Sequence, residues 1–72
     1  SSGFQDFANQ PRFGEVQEAK EFFGFTTTPS KEEVKKEYKR LARKYHPDIN
    51  NGDDTMMKKL NHYRDILIKY IE

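Results

Sequence analysis

The chain has 72 residues, of which 14% are aromatic and none is cysteine, and its formal net charge is +1. A chain of this length forms one small domain at most, and without cysteine neither disulfides nor a cysteine-based zinc site can stabilise it. No apolar run reaches the roughly 18 to 20 residues that a membrane span requires, and no signal peptide is recognisable. These features favour a soluble protein, expected in the cytoplasm, or in the nucleus as part of a larger protein.

Residues 1–14 are predicted to form a flexible leader before the folded domain. Residues 1–3, Ser-Ser-Gly, resemble a cloning remnant and are excluded from the prediction of the fold. The rest of the leader is rich in Gln, Asn, Pro and Gly, with Phe4, Phe7 and Phe13 among them. The alternative interpretation is an arm whose phenylalanines pack on the domain or on a partner.

The first predicted helix spans Glu15 to Phe23. Its apolar residues recur at spacings of three and four and form a single stripe: Val16, Ala19, Phe22 and Phe23. A glycine directly after a helix favours a left-handed C-cap, so Gly24 is predicted to end the helix, with Phe25 folding back as a hydrophobic contact.

The second predicted helix begins after Ser30 and runs to about Tyr45. Ser30 and Glu33 match a capping box, in which each side chain accepts a hydrogen bond from the other residue's backbone N–H. One face of this helix is apolar: Val34, Tyr38, Leu41, Ala42 and Tyr45. The remaining surface is basic: Lys35, Lys36, Lys39, Arg40, Arg43 and Lys44.

The positive charge is concentrated on this second helix. Residues 31–45 contain seven Lys or Arg and three Glu, whereas residues 1–25 contain two basic and four acidic residues. The local excess matters more than the total, because it sets the electric field that a partner meets.

The segment His46-Pro47-Asp48 interrupts the helical pattern. Proline lacks a backbone N–H, and its ring pushes the preceding residue out of the α region, so the helix must end here. The side chains of His46 and Asp48 are therefore predicted to lie on an exposed loop. Asp53 or Asp54 then caps the next helix.

The third predicted helix runs from about Thr55 to Ile71. Its apolar residues again recur at spacings of three and four: Met56, Met57, Leu60, Tyr63, Leu67, Tyr70 and Ile71. Two helices of similar length joined by a loop pack most economically as an antiparallel pair, with the first helix covering one side. No segment alternates with a period of two, so the predicted fold class is all-α.

The run from Glu33 to Asp48 resembles helix II and the signature loop of a J-domain, the DnaJ family of co-chaperones. Phe23-Gly24-Phe25 is similar to the Leu-Gly-Val that ends the family's first helix, and Leu60-Asn61 is similar to the Ile-Asn of its third. The resemblance covers roughly residues 15–71. It implies a small J-domain bundle with an exposed His-Pro-Asp loop.

The chain also departs from the family pattern. The third helix reads Asn61-His62-Tyr63-Arg64 where relatives usually read Asn-Glu-Ala-Tyr. No fourth helix follows, so residues 15–72 are predicted to form a minimal J-domain.

The resemblance implies a function as well as a fold. J-domains bind the ATPase domain and linker of a 70-kDa heat-shock chaperone and stimulate its ATP hydrolysis, so this chain is expected to be a monomer that is not an enzyme and needs no cofactor or metal. The implied partner-binding residues lie on the loop and on the second helix: His46, Pro47, Asp48, Lys35, Tyr38, Lys39, Arg40 and Arg43. Tyr38 is ambiguous, since it also suits the edge of the core.

The sequence offers four alternative functions. A nucleic-acid-binding module is one rival, but the net charge is near zero and the basic helix ends in Pro-Asp. An enzyme is disfavoured, because His46 and Asp48 have no nucleophile at a matching spacing. A metal site is disfavoured because these two residues and His62 lack a ligand spacing. A scaffold that has lost chaperone stimulation is the last alternative. No nucleic acid and no membrane is expected as a partner.

Overall fold

The computed structural model describes residues 11–72, which form three helices and no strand. They are α1 (Phe13–Phe23), α2 (Lys31–Tyr45) and α3 (Thr55–Ile71). The predicted all-α class is confirmed, and α2 and α3 have the predicted bounds. Within the described range, none of the helices is both long and apolar enough to cross a membrane.

Helix α1 begins two residues before the predicted start at Glu15. The Glu15 carboxylate accepts a hydrogen bond from the backbone N–H of Arg12 at 3.0 Å, so this glutamate stabilises the first turn from the third helical position. Phe13 is the first helical residue and is 75% exposed, so it does not pack on the domain. Phe4 and Phe7, with the rest of residues 1–10, lie outside the described residues.

The end of α1 is the predicted glycine cap. Gly24 adopts a left-handed conformation with φ of 85°. Its N–H bonds the Glu21 carbonyl at 3.1 Å, and the Phe25 N–H bonds the Lys20 carbonyl at 2.8 Å, which together form a Schellman motif. The Phe25 ring stacks on Phe23 with ring centroids 5.8 Å apart, so the predicted hydrophobic contact is present.

Helix α2 begins with the predicted capping box. The Glu33 N–H donates to the Ser30 hydroxyl at 3.1 Å, and the Ser30 N–H donates to the Glu33 carboxylate at 2.9 Å. Pro29, just before the cap, is buried. The first four N–H groups of a helix have no partner within the helix, and burying them unpaired is costly. The exchange between Ser30 and Glu33 pairs two of these N–H groups where the chain enters the bundle.

An aspartate just before α3 caps the start of the helix, as predicted, and the structure distinguishes between the two candidates. The Asp53 carboxylate accepts from the Thr55 N–H at 3.0 Å and from its hydroxyl at 2.7 Å. These two hydrogen bonds, the backbone one foremost, lower the pKa of Asp53. Asp54 makes no capping hydrogen bond and instead lies 3.5 Å from the Lys58 ammonium.

Helix α3 is the central element of the bundle, because both other helices pack chiefly against it. Helices α2 and α3 are antiparallel, as an ion pair of 2.9 Å between Lys31 and Glu72 at one end shows. The core contains residues from all three helices: Val16, Ala19, Phe23, Val34, Leu41, Leu60, Ile66 and Leu67. The Phe22 ring of α1 lies between Tyr45 of α2 (6.1 Å) and Tyr63 of α3 (5.0 Å) and so joins the three helices.

The predicted apolar stripe of α3 needs one correction. Tyr70 belongs to the predicted stripe but is 48% exposed, whereas Ile66 was not in it and is only 8% exposed. Because α3 is covered by two helices at once, its buried surface is wider than one stripe with spacings of three and four. That surface therefore includes Ile66, while Tyr70 lies beyond the part that is covered.

This packing predicts different effects of two alanine substitutions on α3. Leu60 has no exposed surface, so Leu60→Ala is expected to lower the free energy of unfolding by about 2 to 5 kcal/mol. Tyr70→Ala removes a larger but half-exposed side chain, and a loss well below that of Leu60→Ala is expected. Urea unfolding followed by circular dichroism measures both. Equal losses would contradict the burial described here.

Candidate functional site

The loop after α2 starts at the residue before the proline. His46 is extended, with φ of −58° and ψ of 136°, the conformation that a following proline imposes. The His46 carbonyl is nevertheless bonded, since it accepts from the Ile49 N–H at 2.9 Å and from the Asn50 N–H at 3.2 Å. The chain therefore reverses in a closed turn whose first residues are His46, Pro47 and Asp48.

The second half of the loop closes on Pro47. The Pro47 carbonyl accepts from the Gly52 N–H at 2.7 Å and from the Asn50 N–H at 3.1 Å. This closure requires two consecutive left-handed residues, Asn51 with φ of 57° and Gly52 with φ of 82°. Asparagine and glycine are the residues that adopt this conformation most readily. The loop is thus held by its own backbone hydrogen bonds.

The Asn50 side chain fastens this turn to the end of α2. Its amide donates to the His46 carbonyl at 3.2 Å and to the Lys44 carbonyl at 3.4 Å. The last carbonyls of a helix have no partner within the helix, so a side-chain donor stabilises this end. Asn50 thereby fixes the position of the His-Pro-Asp turn relative to α2.

The histidine and the aspartate of the loop are open to solvent, as predicted. Their side chains are 55% and 90% exposed for His46 and Asp48, respectively. The Asp48 N–H donates to the His46 Nδ1 at 3.2 Å, which makes Nδ1 an acceptor and places the proton of the neutral imidazole on Nε2. The Asp48 carboxylate lies 3.6 Å from the same Nδ1. The loop therefore offers one N–H donor and one carboxylate acceptor side by side.

The predicted basic surface of α2 divides into paired and unpaired charges. Arg40 forms a bidentate pair with Glu37, with Nε–Oε1 at 3.1 Å and Nη2–Oε2 at 2.9 Å. The Arg40 hydrogen bond lowers the pKa of Glu37 and, reciprocally, raises the pKa of Arg40. Lys35, Lys39 and Arg43 are exposed and have no ion-pair partner among residues 11–72.

Tyr38 belongs to the edge of the core. Its hydroxyl donates to the Asn61 side-chain oxygen at 2.6 Å, which ties α2 to α3. The Arg64 guanidinium lies 4.6 Å from the centroid of its ring, within the range of a cation–π contact. The ring is half-buried, so one part of it still faces solvent between the helices.

Three residues of this region were not among the predicted site residues. They are Asn50, Asn61 and Arg64. Asn50 was recognisable as part of a turn-forming run with Asn51 and Gly52, but its bonds to the end of α2 depend on the path of the loop. Asn61 and Arg64 are surface-like residues on a polar face of α3, and only the packing of α2 and α3 brings them to Tyr38.

The sequence disfavoured a metal site, because His46, Asp48 and His62 lack a ligand spacing. Within residues 11–72, no group of three His, Cys, Asp or Glu side chains is placed to hold a metal ion.

The role of Asn50 predicts a matched pair of effects. Asn50→Ala removes both bonds to the end of α2 and is expected to lower the free energy of unfolding by about 1 kcal/mol. It should also speed hydrogen exchange at Ile49 and Gly52. Asn51→Gly is the control, because glycine accepts the left-handed conformation of that position, and stability should be unchanged or slightly higher. Exchange rates measured by NMR that do not differ between the two variants would contradict the role given to Asn50.

Comparisons with known proteins identify the family that this chain resembles. The family model described as DnaJ domain matches residues 21–70. A DnaJ-like protein R260 of Acanthamoeba polyphaga mimivirus is 48% identical over 50 residues, which are 65% of this chain and 13% of that protein. Chaperone protein DnaJ of Synechococcus sp. (strain JA-2-3B'a(2-13)) is 45% identical over 49 residues, 65% of this chain and 12% of that protein.

A third relative, Chaperone protein DnaJ of Trichodesmium erythraeum (strain IMS101), is 45% identical over 49 residues, 65% of this chain and 13% of that protein. No solved structure matches. The chain thus corresponds to a small part of each relative's length. The match covers α2, the His-Pro-Asp loop and nearly all of α3, the elements on which the predicted resemblance rests. The resemblance is confirmed, and the chain belongs to the DnaJ-domain family.

Proposed function

We propose that this domain binds a 70-kDa heat-shock chaperone and stimulates its ATP hydrolysis through the His-Pro-Asp loop and the basic surface of α2. The observation that supports this most directly is the loop itself. His46 and Asp48 are exposed on a turn that backbone hydrogen bonds hold closed, at the end of a basic helix. Membership of the DnaJ-domain family points to the same class of partner.

The basic surface of α2 would act first, during the approach of the two proteins. Lys35, Lys39 and Arg43 are exposed and unpaired within the described residues, so their field extends into solvent. An acidic surface on the chaperone would be attracted to this field, which raises the rate of association more than it lowers the rate of dissociation. Arg40 would join the contact while keeping or exchanging its bond to Glu37.

The loop would then make the specific contacts. The Nε2–H of His46 is a hydrogen-bond donor, and the carboxylate of Asp48 is an acceptor. The pair therefore fits a site on the chaperone that presents an acceptor to His46 and a donor to Asp48. The turn is held by its own bonds and by Asn50, so little conformational entropy is lost when it binds. Pro47 contributes to this rigidity because its ring fixes φ.

The stimulation itself would be a shift in the chaperone's conformational equilibrium. The domain would bind one conformation of the ATPase better than the others and so raise its population. The groups that hydrolyse ATP would all belong to the chaperone.

The proposed function predicts a specific effect of changing the loop histidine. His46→Gln is expected to abolish ATPase stimulation, a loss of at least about tenfold, while circular dichroism and thermal unfolding stay nearly unchanged. His62→Gln makes the same chemical change at an exposed position of α3 and is expected to keep full stimulation. The measurement is single-turnover ATP hydrolysis by the chaperone with and without each variant. Equal stimulation by both variants would show that the loop is not the contact.

The proposed function also predicts an effect of reversing charges on α2. Lys39→Glu combined with Arg40→Glu is expected to slow association with the chaperone, and the effect should shrink as salt is raised, because exposed charges are screened beyond about 10 Å at 0.1 M salt. The matched control is Arg12→Glu with Lys59→Glu, which changes the net charge equally at exposed positions outside α2. Stopped-flow association in low salt separates the two. If both double variants slow association alike, only net charge matters and the α2 surface is not the docking face.

A further inference from the structure

A groove runs between α2 and α3, toward the start of α2 and the end of α3 and away from the His-Pro-Asp loop. Its walls include Lys35 and Lys39 on one side and Lys69 on the other. Tyr38 and Ile68 form its apolar floor, and both are half-buried. The α3 wall lies outside every residue so far assigned to chaperone binding.

The charges of the groove are only partly balanced. Two of its cations are paired within the domain: Lys31 with Glu72 at 2.9 Å, and Arg64 with Asp65 at 3.0 Å. The three wall lysines, Lys35, Lys39 and Lys69, have no such partner among the residues that the structure describes. A partner entering the groove therefore meets a local excess of positive charge, which attracts carboxylates.

The floor of the groove is formed before any partner arrives. The Tyr38 hydroxyl is bonded to Asn61 at 2.6 Å, and the Arg64 guanidinium covers part of the ring at 4.6 Å. These contacts hold the ring in place, so an apolar side chain could pack against it and Ile68 with little rearrangement. Preformed sites of this kind bind at a lower entropic cost than mobile ones.

We propose that this groove binds an acidic segment of a partner protein, with an apolar side chain of that segment packed on Tyr38 and Ile68. Carboxylates on either side of that anchor would pair with Lys35, Lys39 and Lys69. The proposal shares Tyr38 and the α2 lysines with the surface implied for chaperone binding, but it adds the α3 wall and requires neither His46 nor ATP hydrolysis.

A nucleic acid fits the groove less well than an acidic peptide. A phosphate backbone carries a continuous row of negative charge, and the walls include the carboxylates of Asp65 and Glu72, which would repel parts of it. The floor is apolar and is formed by one tyrosine and one isoleucine, which suits an aliphatic anchor. A peptide can place its carboxylates at the lysines and its anchor on the floor.

The test uses a designed probe, a fluorescein-labelled helical peptide with Glu and Leu on one face. Saturable binding measured by fluorescence anisotropy is expected at concentrations below about 1 mM, the limit of a weak specific contact. A second peptide with Ser in place of Leu, and a third with Lys in place of Glu, should each bind at least about tenfold more weakly. Chemical-shift changes should concentrate at Tyr38, Arg64 and Ile68.

Variants of the domain locate the binding. Lys69 is exposed, and Lys69→Glu should weaken binding of the first peptide at least about tenfold. Lys59→Glu makes an equal charge change on α3 outside the groove and should not weaken binding. Ile68→Ser should also weaken binding of the first peptide. If Ile68→Ser lowers the stability of the domain, Lys69→Glu still tests the groove, because its unfolding curve is expected to be unchanged. His46→Gln should bind the peptide as the parent does.

Four outcomes would overturn the proposal. They are the absence of saturable binding, equal binding of the Leu and Ser peptides, equal effects of Lys69→Glu and Lys59→Glu, and tighter, steeply salt-dependent binding of a single-stranded oligonucleotide at the same residues. The proposed function is tested separately, because it predicts that His46→Gln loses ATPase stimulation whether or not the peptide binds.

Discussion

The whole arrangement depends on the backbone constraint that Pro47 imposes on His46. Because His46 must be extended, α2 cannot continue past Tyr45, and the chain has to turn back toward α3. The carbonyl groups freed at this break are not left unpaired. The His46 carbonyl and the Pro47 carbonyl bond the N–H groups of Ile49, Asn50 and Gly52, so the break becomes a closed turn. A rigid loop with two exposed polar side chains is the direct result.

The position of this turn is set by the packing of the helices that flank it. α2 and α3 are antiparallel, and α3 buries residues against both of its neighbours. Burial of Val34, Leu60 and Leu67, which have no exposed surface, supplies the hydrophobic stabilisation that a domain of this size can obtain without disulfides. The loop therefore extends from two helices, α2 and α3, that the shared core holds together, while the loop itself contributes no residue to the core.

Ion pairs within the domain decide which positive side chains are left to bind the carboxylates of a partner. Arg40 was among the implied partner-binding residues, yet its guanidinium is engaged by Glu37, while Lys35 and Lys39 have no ion-pair partner among the described residues. Arg64 both lies over the Tyr38 ring and pairs with Asp65. The same lysines of α2 thus face two surfaces, the outer side of the helix and the groove toward α3.

The local features of this fold were determined by the sequence alone. Ser30 and Glu33 predicted the start of α2, Gly24 predicted the end of α1, and Pro47 predicted the break, because each acts on the backbone within a few residues of itself. The family resemblance was likewise readable, since it rests on a contiguous run of residues. What needed the tertiary structure were features that join distant parts of the chain. Ile66 is buried and Tyr70 exposed because two helices cover α3 at once, and Tyr38 meets Asn61 because α2 and α3 are antiparallel in one particular register. Periodicity along one helix describes the face of that helix, but the position and angle of its neighbours decide how much of the face is covered.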